Sequence, residues 1–518
     1  MSGNTENNKR IAKNTLLLYT RMLLMMLVSL FTSRVILQVL GIEDYGVYNV
    51  VGGIVSMFAF INGGMVAATQ RYITFELGSG NKERLQRVFS TSLQIHAMIS
   101  ILIVILGETV GLWFLQEKLV IPEDRMIAAM WVYQCSILVC VLNIMSIPYN
   151  ADIVAHEKMS AFAMISVVEV VLKLLVVYLL MLFPFDKLIV YAILLLAVQF
   201  SIRLVYTAYC KRHFEESSYI HRWNSDLIKE MLGFAGWSFW GSLAVVLYTQ
   251  GVNMMLNVFF GPVVNAARGI AIQVQSAVLQ FVMNFQMALN PQITKSYAAG
   301  NLDQMHSLMF RSARFSFLLL FFIALPVLLE TNFLLTLWLK TVPDHTVIFA
   351  QIMLCISLVY TTANPCIIAN QATGKVKVYQ AVVGGILLAI LPISYIMLKM
   401  GAPAYSVFIV HFCVESVAQF SRMFMLRKLI NLPMWAYLKN IYAPIICTVI
   451  VSIILPMFVH MQIEEGWLRL FAVGFTCVLS VSVTSLFIGI TKHERTFLLD
   501  KGLVFLKIKN DNLISYYD

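Results

Sequence analysis

Apolar residues run along this chain in long blocks that are hydrophobic around the whole helical circumference and are separated by short polar breaks. Neither the alternation of a half-buried strand nor the one-sided stripe of a surface helix dominates. A helix needs about 20 such residues, at 1.5 Å each, to cross a hydrocarbon core roughly 30 Å thick. The blocks predict fourteen spans, at 16–40, 47–69, 88–115, 126–147, 161–183, 188–209, 231–258, 264–289, 310–334, 346–369, 381–399, 404–426, 441–460 and 467–489.

The polar breaks alternate in charge. Lys9, Arg10 and Lys13 precede span 1, and Arg71, Lys82, Arg84 and Arg87 follow span 2. Lys158 follows span 4, Lys211, Arg212, Arg222 and Lys229 follow span 6, Lys295 follows span 8, and Lys375 and Lys377 follow span 10. Arg427, Lys428 and Lys439 follow span 12, and Lys492, Arg495, Lys501, Lys507 and Lys509 follow span 14. The intervening breaks carry only Lys118, Arg125, Lys187, Arg268, Lys340 and Lys399. Basic residues of short loops are retained on the cytoplasmic side, so the bias predicts an even number of spans with both termini cytoplasmic.

Offset by 220 residues, the chain resembles itself. Gly41 aligns with Gly261, Ile73-Thr74 with Ile293-Thr294, Gly80-Asn81 with Gly300-Asn301, Asn150 with Asn370, and Gln199-Phe200-Ser201 with Gln419-Phe420-Ser421. Spans 1 to 6 then pair with spans 7 to 12, and because six is even both copies have the same orientation. Parallel repeats of this kind are related by an axis along the membrane normal. The expected fold is an all-α integral membrane protein of about 14 transmembrane helices, with two six-helix lobes around a central cavity and two C-terminal helices. Its expected parts are a cytoplasmic tail (1–15), an N-lobe (16–210), a cytoplasmic linker (211–230), a C-lobe (231–427), spans 13 and 14 (428–489) and a cytoplasmic tail (490–518).

Composition agrees. Hydrophobic residues make up 59% and charged residues 12% of the 518, with mean hydropathy +0.79. A soluble protein carries about 25% charged residues, so a soluble multidomain enzyme is excluded. The net charge of +10 lies in the alternating loops and not in a basic run that would meet a duplex, so no nucleic-acid partner is expected. The eight cysteines, Cys135, Cys140, Cys210, Cys355, Cys366, Cys413, Cys447 and Cys477, show no CxxC pair or Cys/His spacing of a zinc site. The first apolar block is too long for a signal-peptide core, so the N-terminus is expected to be retained. GxSxG, HExxH, Walker A and Rossmann patterns are missing, so no cofactor is expected and ATP is not the energy source. Coupling to a proton or sodium gradient, or to the membrane potential, remains open.

The stretch RVILQVLGIEDYGVYNVVGGI, with its Gly-acid-Tyr-Gly loop between spans 1 and 2, resembles the multidrug/oligosaccharidyl-lipid/polysaccharide exporter superfamily, and more closely its Wzx-type bacterial polysaccharide flippases. VNMMLNVFFGPVVNAARGIAIQVQSAV and NFQMALNPQITKSYAAGN are similar to the family's span 7 to span 8 region. The resemblance implies two six-helix lobes in a V, alternating access, and a lipid-linked oligosaccharide as substrate. In some branches two extra C-terminal helices shape a groove for the lipid tail.

Charges inside spans cost about 2.5–3.5 kcal/mol each at the helix centre, which makes them functional candidates. Arg34 lies deep in span 1, and Arg268 opens span 8. A guanidinium suits a diphosphate because its planar fork donates bidentate hydrogen bonds and stays charged. Arg21, Arg203 and Arg422 lie near cytoplasmic ends, where snorkelling to headgroups competes with a cavity role; Arg203 and Arg422 each follow a QFS tripeptide. Glu169 and Lys173, four apart in span 5, form either a mutually neutralised pair or a site for a coupling proton or sodium ion. His411, Glu415, Gln419 and Arg422 share a stripe of span 12 that either faces a wet cavity or joins helices. Glu108, in GETVG near the end of span 3, reads as interfacial or as part of close helix packing. Gln250, Asn253 and Asn257 on span 7, and Gln273, Ser276, Gln280 and Asn284 on span 8, form amide stripes that suit sugar hydroxyls and equally suit interhelical hydrogen bonds. Pro326, Pro365 and Pro392 predict bends in spans 9 to 11.

These residues favour a flippase that carries polyprenyl-diphosphate-linked oligosaccharide across a bacterial inner membrane for capsule, O-antigen or exopolysaccharide synthesis. Membrane lipids, and glycan polymerase machinery, would be its partners. A drug/cation antiporter of the same superfamily would need an acidic cavity, and a membrane-embedded glycan polymerase or ligase would need a large outer loop. Cysteine labelling in intact cells checks the topology: a cysteine at Ser218 is expected to resist membrane-impermeant reagents, and labelling from outside would overturn the assignment.

Overall fold

The computed structural model describes residues 14–25, scattered positions between 28 and 52, and residues 63–117, 121–182, 185–220, 223–260, 262–339, 342–492 and 494–496. Among these there is no strand. From Gly63 on, the helices are α1 Gly63–Ser79, α2 Lys82–Glu117, α3 Glu123–Ala155, α4 Met159–Leu182, α5 Lys187–His213, α6 Ser225–Phe260 and α7 Pro262–Ala298. There follow α8 Leu302–Leu329, α9 Thr331–Leu339, α10 Thr346–Thr373, α11 Val376–Lys399, α12 Ser406–Ile430, α13 Met434–Gln462 and α14 Trp467–Gly489.

Eleven of them, α2 to α6, α8 and α10 to α14, are long and apolar enough to cross a membrane, and each covers a predicted span. Helix α7 runs through predicted span 8, but its amides keep it out of that set. Spans 1 and 2 fall mostly on positions before Gly63, of which only part is described. The protein is a multi-pass membrane protein. Rows of exposed apolar side chains, such as Val168, Val171 and Leu175 on α4 and Phe471 and Phe475 on α14, are the surface that lipid would cover.

Several helices outrun their apolar blocks because caps, not the bilayer, end them. Asn224 accepts from Leu227 N at 3.1 Å and starts α6 several residues before the predicted span. The 220-residue repeat is visible in backbone detail: Gly80 and Gly300 take φ of +74° and +73°, and each precedes an asparagine cap. Asn81 Oδ1 accepts from Arg84 N and Asn301 Oδ1 from Gln304 N, both at 3.0 Å. A glycine in the left-handed region followed by an N-cap reverses the chain tightly.

Helices α8 and α10 run on through Pro326 and Pro365, whereas α11 breaks at Ala389, just before Pro392. There Pro392 removes a backbone donor, and the preceding residues turn instead. GETVG forms one widened helical turn in α2. Tyr133 donates to the carbonyl of Gly107 at 2.6 Å, and a Cβ on Gly107 would meet Ile137 Cδ1 at 2.8 Å. Glu108 is exposed there and accepts from Gln134.

The chain forms two compact units. The first comprises Met1–Val245, Met287–Met305 and Ile368–Gly384. Its hub is α3, which packs on α1, α2, α4 and α5. Phe89 and Tyr149 meet edge to face at 5.2 Å in a core with Tyr72, Ile153, Ile202 and Cys210. At the end predicted to be external, Arg125 joins Asp186 at 2.7 Å and Asp44 of the Gly-acid-Tyr-Gly loop at 2.6 Å. Asp186 also caps α5 through Leu188 N and Ile189 N. Partial burial pushes its carboxyl up, but the Arg125 guanidinium and the two backbone donors outweigh this and hold it below the usual range.

The second unit comprises Val246–Gln286, His306–Ile367 and Gly385–Asp518. Helix α8 lies in its core, where Leu320, Phe321 and Leu325 pack with Val282 of α7, Leu354 of α10 and Val473, Cys477 and Val481 of α14. Buried carboxylates fasten α13 and α14 to α8 at two places. Just past α8, Glu330 accepts from His460 at 3.1 Å and is joined by Arg469 at 3.0 Å. Toward its middle, Glu494 pairs with Arg314 and, at 3.4 Å, with Arg311.

Replacing Glu330 with Leu would leave Arg469 without its buried partner, a change that typically costs about 3–5 kcal/mol. A large drop in thermal unfolding temperature in detergent is the expected result. Asp186 has the opposite pH signature to a base: its contribution is present above the carboxylate's unfolded pKa of about 3.9 and is lost as pH falls through its lower folded value. The acid limb of a stability-against-pH curve is therefore expected to flatten in Asp186→Asn, and an unchanged limb would contradict the pairing.

Candidate functional site

Helices α3, α4 and α5 line a half-open cavity of about 630 Å³ within the first unit, with Tyr48 and Gly52 also at its wall. This lies within the range of about 300–1,000 Å³ typical of small-ligand sites. Its polar lining comes from Ser136 and Asn143 of α3, Glu169 and Lys173 of α4, and Tyr191 and Gln199 of α5. Lys173 Nζ donates to Glu169 Oε1 at 2.6 Å, so the two charges neutralise each other at the cavity wall. Tyr48 and Tyr191 meet edge to face at 5.0 Å, and Gln199 donates to Asn143 at 2.5 Å. The predicted i,i+4 pair is thus brought together with amides and tyrosines that the sequence did not single out as a group. Tyr191 and Asn143 sit in mostly apolar blocks, and their polarity within those blocks was the available signal.

In the second unit the polar stripes are divided. Gln250 on α6 and Gln273, Ser276 and Gln280 on α7 are exposed, Asn253 is half-buried, and Asn284 is buried with its amide on Gln280 O at 2.9 Å. The side chain of Asn257 and the whole of Arg34 lie outside the described residues. Arg268 is buried between α6 and α7, where it donates to Asn253 Oδ1 and Thr249 O, both at 3.0 Å, while its Nε has no partner. On α12, Glu415 and Arg422 are buried and paired at 2.8 Å, and Gln419 donates to Thr362 O of α10 at 3.3 Å. His411, half-buried one turn away, meets Tyr248 edge to face at 5.1 Å. Gln419 and His411 thus reach neighbouring helices, whereas Glu415 and Arg422 pair within α12. Gln419 reaching α10 answers Gln199 reaching α3, with acceptors Thr362 and Asn143 within one residue of the 220-residue offset.

Arg203 stacks over Tyr149 at 4.4 Å and Arg21 over Phe162 at 4.4 Å. Neither Arg203 nor Arg422 extends free: an aromatic face takes one and a carboxylate the other.

A closure within the first unit was not legible beforehand. At the end predicted to be cytoplasmic, α1 and α7 approach so closely that a Cβ on Gly78 would lie 2.7 Å from Lys295 Cα and 3.0 Å from Ala298 Cβ. Gly78 and Ala298 are repeat-equivalent. Arg71 of α1 donates to the carbonyls of Gln371 and Ala372 at the end of α10, at 3.2 and 3.1 Å. Reciprocally, Gln292 and Lys295 of α7 donate to the buried Glu157, after α3, at 3.1 and 2.9 Å. The two sequence repeats are locked to each other here, end of the second span to end of the tenth and end of the eighth to end of the fourth. Glu157 takes φ +57°, which turns its carboxylate inward at a backbone cost.

The comparisons with known proteins agree with this architecture. The family model "Polysaccharide biosynthesis protein" matches residues 11–296. The comparison with curated proteins found no match. Among solved structures, a MATE transporter in the bent conformation superposes with TM-score 0.70 at 14% identity, covering 83% of this chain and 97% of that one. An outward-facing multidrug resistance MATE family transporter of the MOP superfamily gives 0.67 at 14% identity, covering 82% and 96%. A MOP superfamily transporter from Pyrococcus furiosus, described by the reverse polarity of its binding pocket, gives 0.64 at 14% identity, covering 83% and 96%. At such identity these likenesses establish the fold alone, the MATE-like fold of the MOP superfamily. Taken with the family match, which spans more than half of the sequence, they identify the chain as a member of the polysaccharide biosynthesis protein family.

Proposed function

We propose that this protein is a flippase that moves a polyprenyl-diphosphate-linked oligosaccharide from the cytoplasmic to the outer leaflet of a bacterial inner membrane, with both termini cytoplasmic. The observation that carries the reading is the α3–α5 cavity, whose one carboxylate is already neutralised by Lys173. A cationic drug would gain little from such a wall. Sugar hydroxyls would find the amides of Asn143 and Gln199 and the faces of Tyr48 and Tyr191, groups that donate, accept and stack without net charge. The exposed amides of α6 and α7 extend the same chemistry, since at membrane depth they are tolerable only where water or substrate meets them.

Arg268 and Arg34 are proposed to take the diphosphate. Arg268 is buried with its terminal nitrogens on Asn253 and Thr249 and its Nε without a partner, so these contacts would have to open for it to meet a diphosphate. The closure of Gly78, Glu157 and Arg71 would be the cytoplasmic gate of an alternating-access cycle, broken when the headgroup enters. With the cell interior at about −100 mV, moving about two negative charges outward gains roughly 4.6 kcal/mol at about 2.3 per charge. The potential alone would then bias export, and protonation at Glu169 is not required for it. For the MOP superfamily transporter from Pyrococcus furiosus, reverse polarity of the binding pocket is described as suggesting a different function.

Lys173→Ala separates this reading from the antiporter. It leaves Glu169 unpaired in the cavity, so surface glycan is expected to fall more than tenfold at constant protein level in a flippase-deficient strain. Full glycan export together with new extrusion of an organic cation would favour the antiporter, and restoration by Lys173→Arg would confirm that charge neutralisation is what the position supplies.

A further inference from the structure

Asp152, His156 and Glu216 sit where the end of α3, the turn after it and the start of the 211–230 linker converge, all within the first unit. Their ligand atoms lie within 4.8 Å of one another. His156 Nε2 is 2.5 Å from Glu216 Oε1 and 3.7 Å from Asp152 Oδ1. We propose that these three side chains form a binding site for a divalent transition-metal ion of the zinc class, which clamps the linker to α3.

Four observations point that way. Asp152 has no solvent exposure, and its Oδ1 has no hydrogen-bond partner although it faces the imidazole and the second carboxylate. A fully buried carboxylate oxygen beside another carboxylate needs a cation or a shared proton. The other oxygen, Oδ2, accepts from Ser217 Oγ at 2.6 Å, which turns Oδ1 into the cluster. Such an outer hydrogen bond orients a ligating carboxylate. The imidazole is held as well: the Phe214 ring stacks on it at 4.1 Å with 8° between planes, so Nε2 is aimed and not free to swing.

The donor set selects the metal. One imidazole nitrogen with two carboxylate oxygens is a zinc-type set, whereas magnesium and calcium favour oxygen alone. Zinc bonds of about 2.0–2.2 Å place tetrahedral ligand atoms about 3.3 Å apart, with water in the fourth position. The 2.5 Å pair must open and the 3.7 Å pair must close, each by less than 1 Å, within the reach of small side-chain rotations. The ion would fix Glu216 and with it the chain that leads to α6. The neighbouring residue, Glu157, belongs to the closure described above, so the clamp adjoins the parts proposed to move.

The purified full-length protein, stripped with EDTA and titrated with Zn²⁺ against a chromophoric chelator, tests this. One ion per chain is expected, with affinity at least tenfold weaker in His156→Ala and Glu216→Gln, and about 10–100-fold weaker in Ser217→Ala, whose hydroxyl touches no ion. Should His156→Ala fail to fold, His156→Cys keeps a zinc ligand, and X-ray absorption is expected to show one sulfur replacing one nitrogen. No stoichiometric binding, or binding unchanged in these variants, would overturn the site and leave the cluster as carboxylates sharing a proton with His156.

Discussion

Charge neutralisation inside an apolar slab organises this molecule. An isolated ion there is costly, and several described acids accordingly meet a base: Glu169 with Lys173, Glu415 with Arg422, Glu330 with Arg469 and His460, and, just past α14, Glu494 with Arg314. These pairs are not equivalent. Glu415–Arg422 links two turns of one helix, and Glu169–Lys173 lies along one helix at a cavity wall. Glu330 and Glu494 join helices far apart in sequence. Pairing of the first kind leaves the helices free to change neighbours, and pairing of the second kind does not.

That difference divides the molecule by function. Helices α8, α13 and α14 are welded by carboxylates, and the surface that lipid would cover belongs to them in part. The closure at Gly78 and Glu157 uses the Arg71 guanidinium on two backbone carbonyls, Gln292 and Lys295 on the Glu157 carboxylate, and a close backbone approach, with charge-assisted hydrogen bonds individually worth about 1.5–3 kcal/mol. Of these contacts Lys295–Glu157 is an ion pair and Arg71 rests on neutral carbonyls, so opening the proposed gate would separate one buried acid from its base.

The fold was largely legible because hydropathy reports the membrane directly: spans 3 to 7 and 9 to 14 each have their helix, and the repeat announced itself through Gly80-Asn81 and Gly300-Asn301, where only glycine and a capping amide serve. What hydropathy could not report was pairing. His411, Glu415, Gln419 and Arg422 looked like one stripe on one face, yet Glu415 and Arg422 pair with each other along α12, while His411 and Gln419 find Tyr248 and Thr362 on neighbouring helices. Glu157 was invisible because it follows a helix end and its inward turn depends on a left-handed backbone that a glutamate does not advertise. The α3–α5 cavity drew its walls from residues 48 to 199, and only the i,i+4 pair within it had a local signature. Arg34 and Asn257 rest on sequence alone.

The carboxylate at Glu330 also bears on how the protein is made. Its partners lie 130 and 139 residues further along the chain, and Arg314 waits 180 residues for Glu494. At about 5–20 residues per second, a ribosome takes roughly 7–28 s to add those 139 residues. During that interval α8 is already in the membrane with an uncompensated acid just past its end and an uncompensated guanidinium at its middle. A nascent chain halted before α14 therefore displays the unpaired intramembrane charges by which an unfinished protein differs from a finished one, and its completion can be read by any quality-control machinery that senses them.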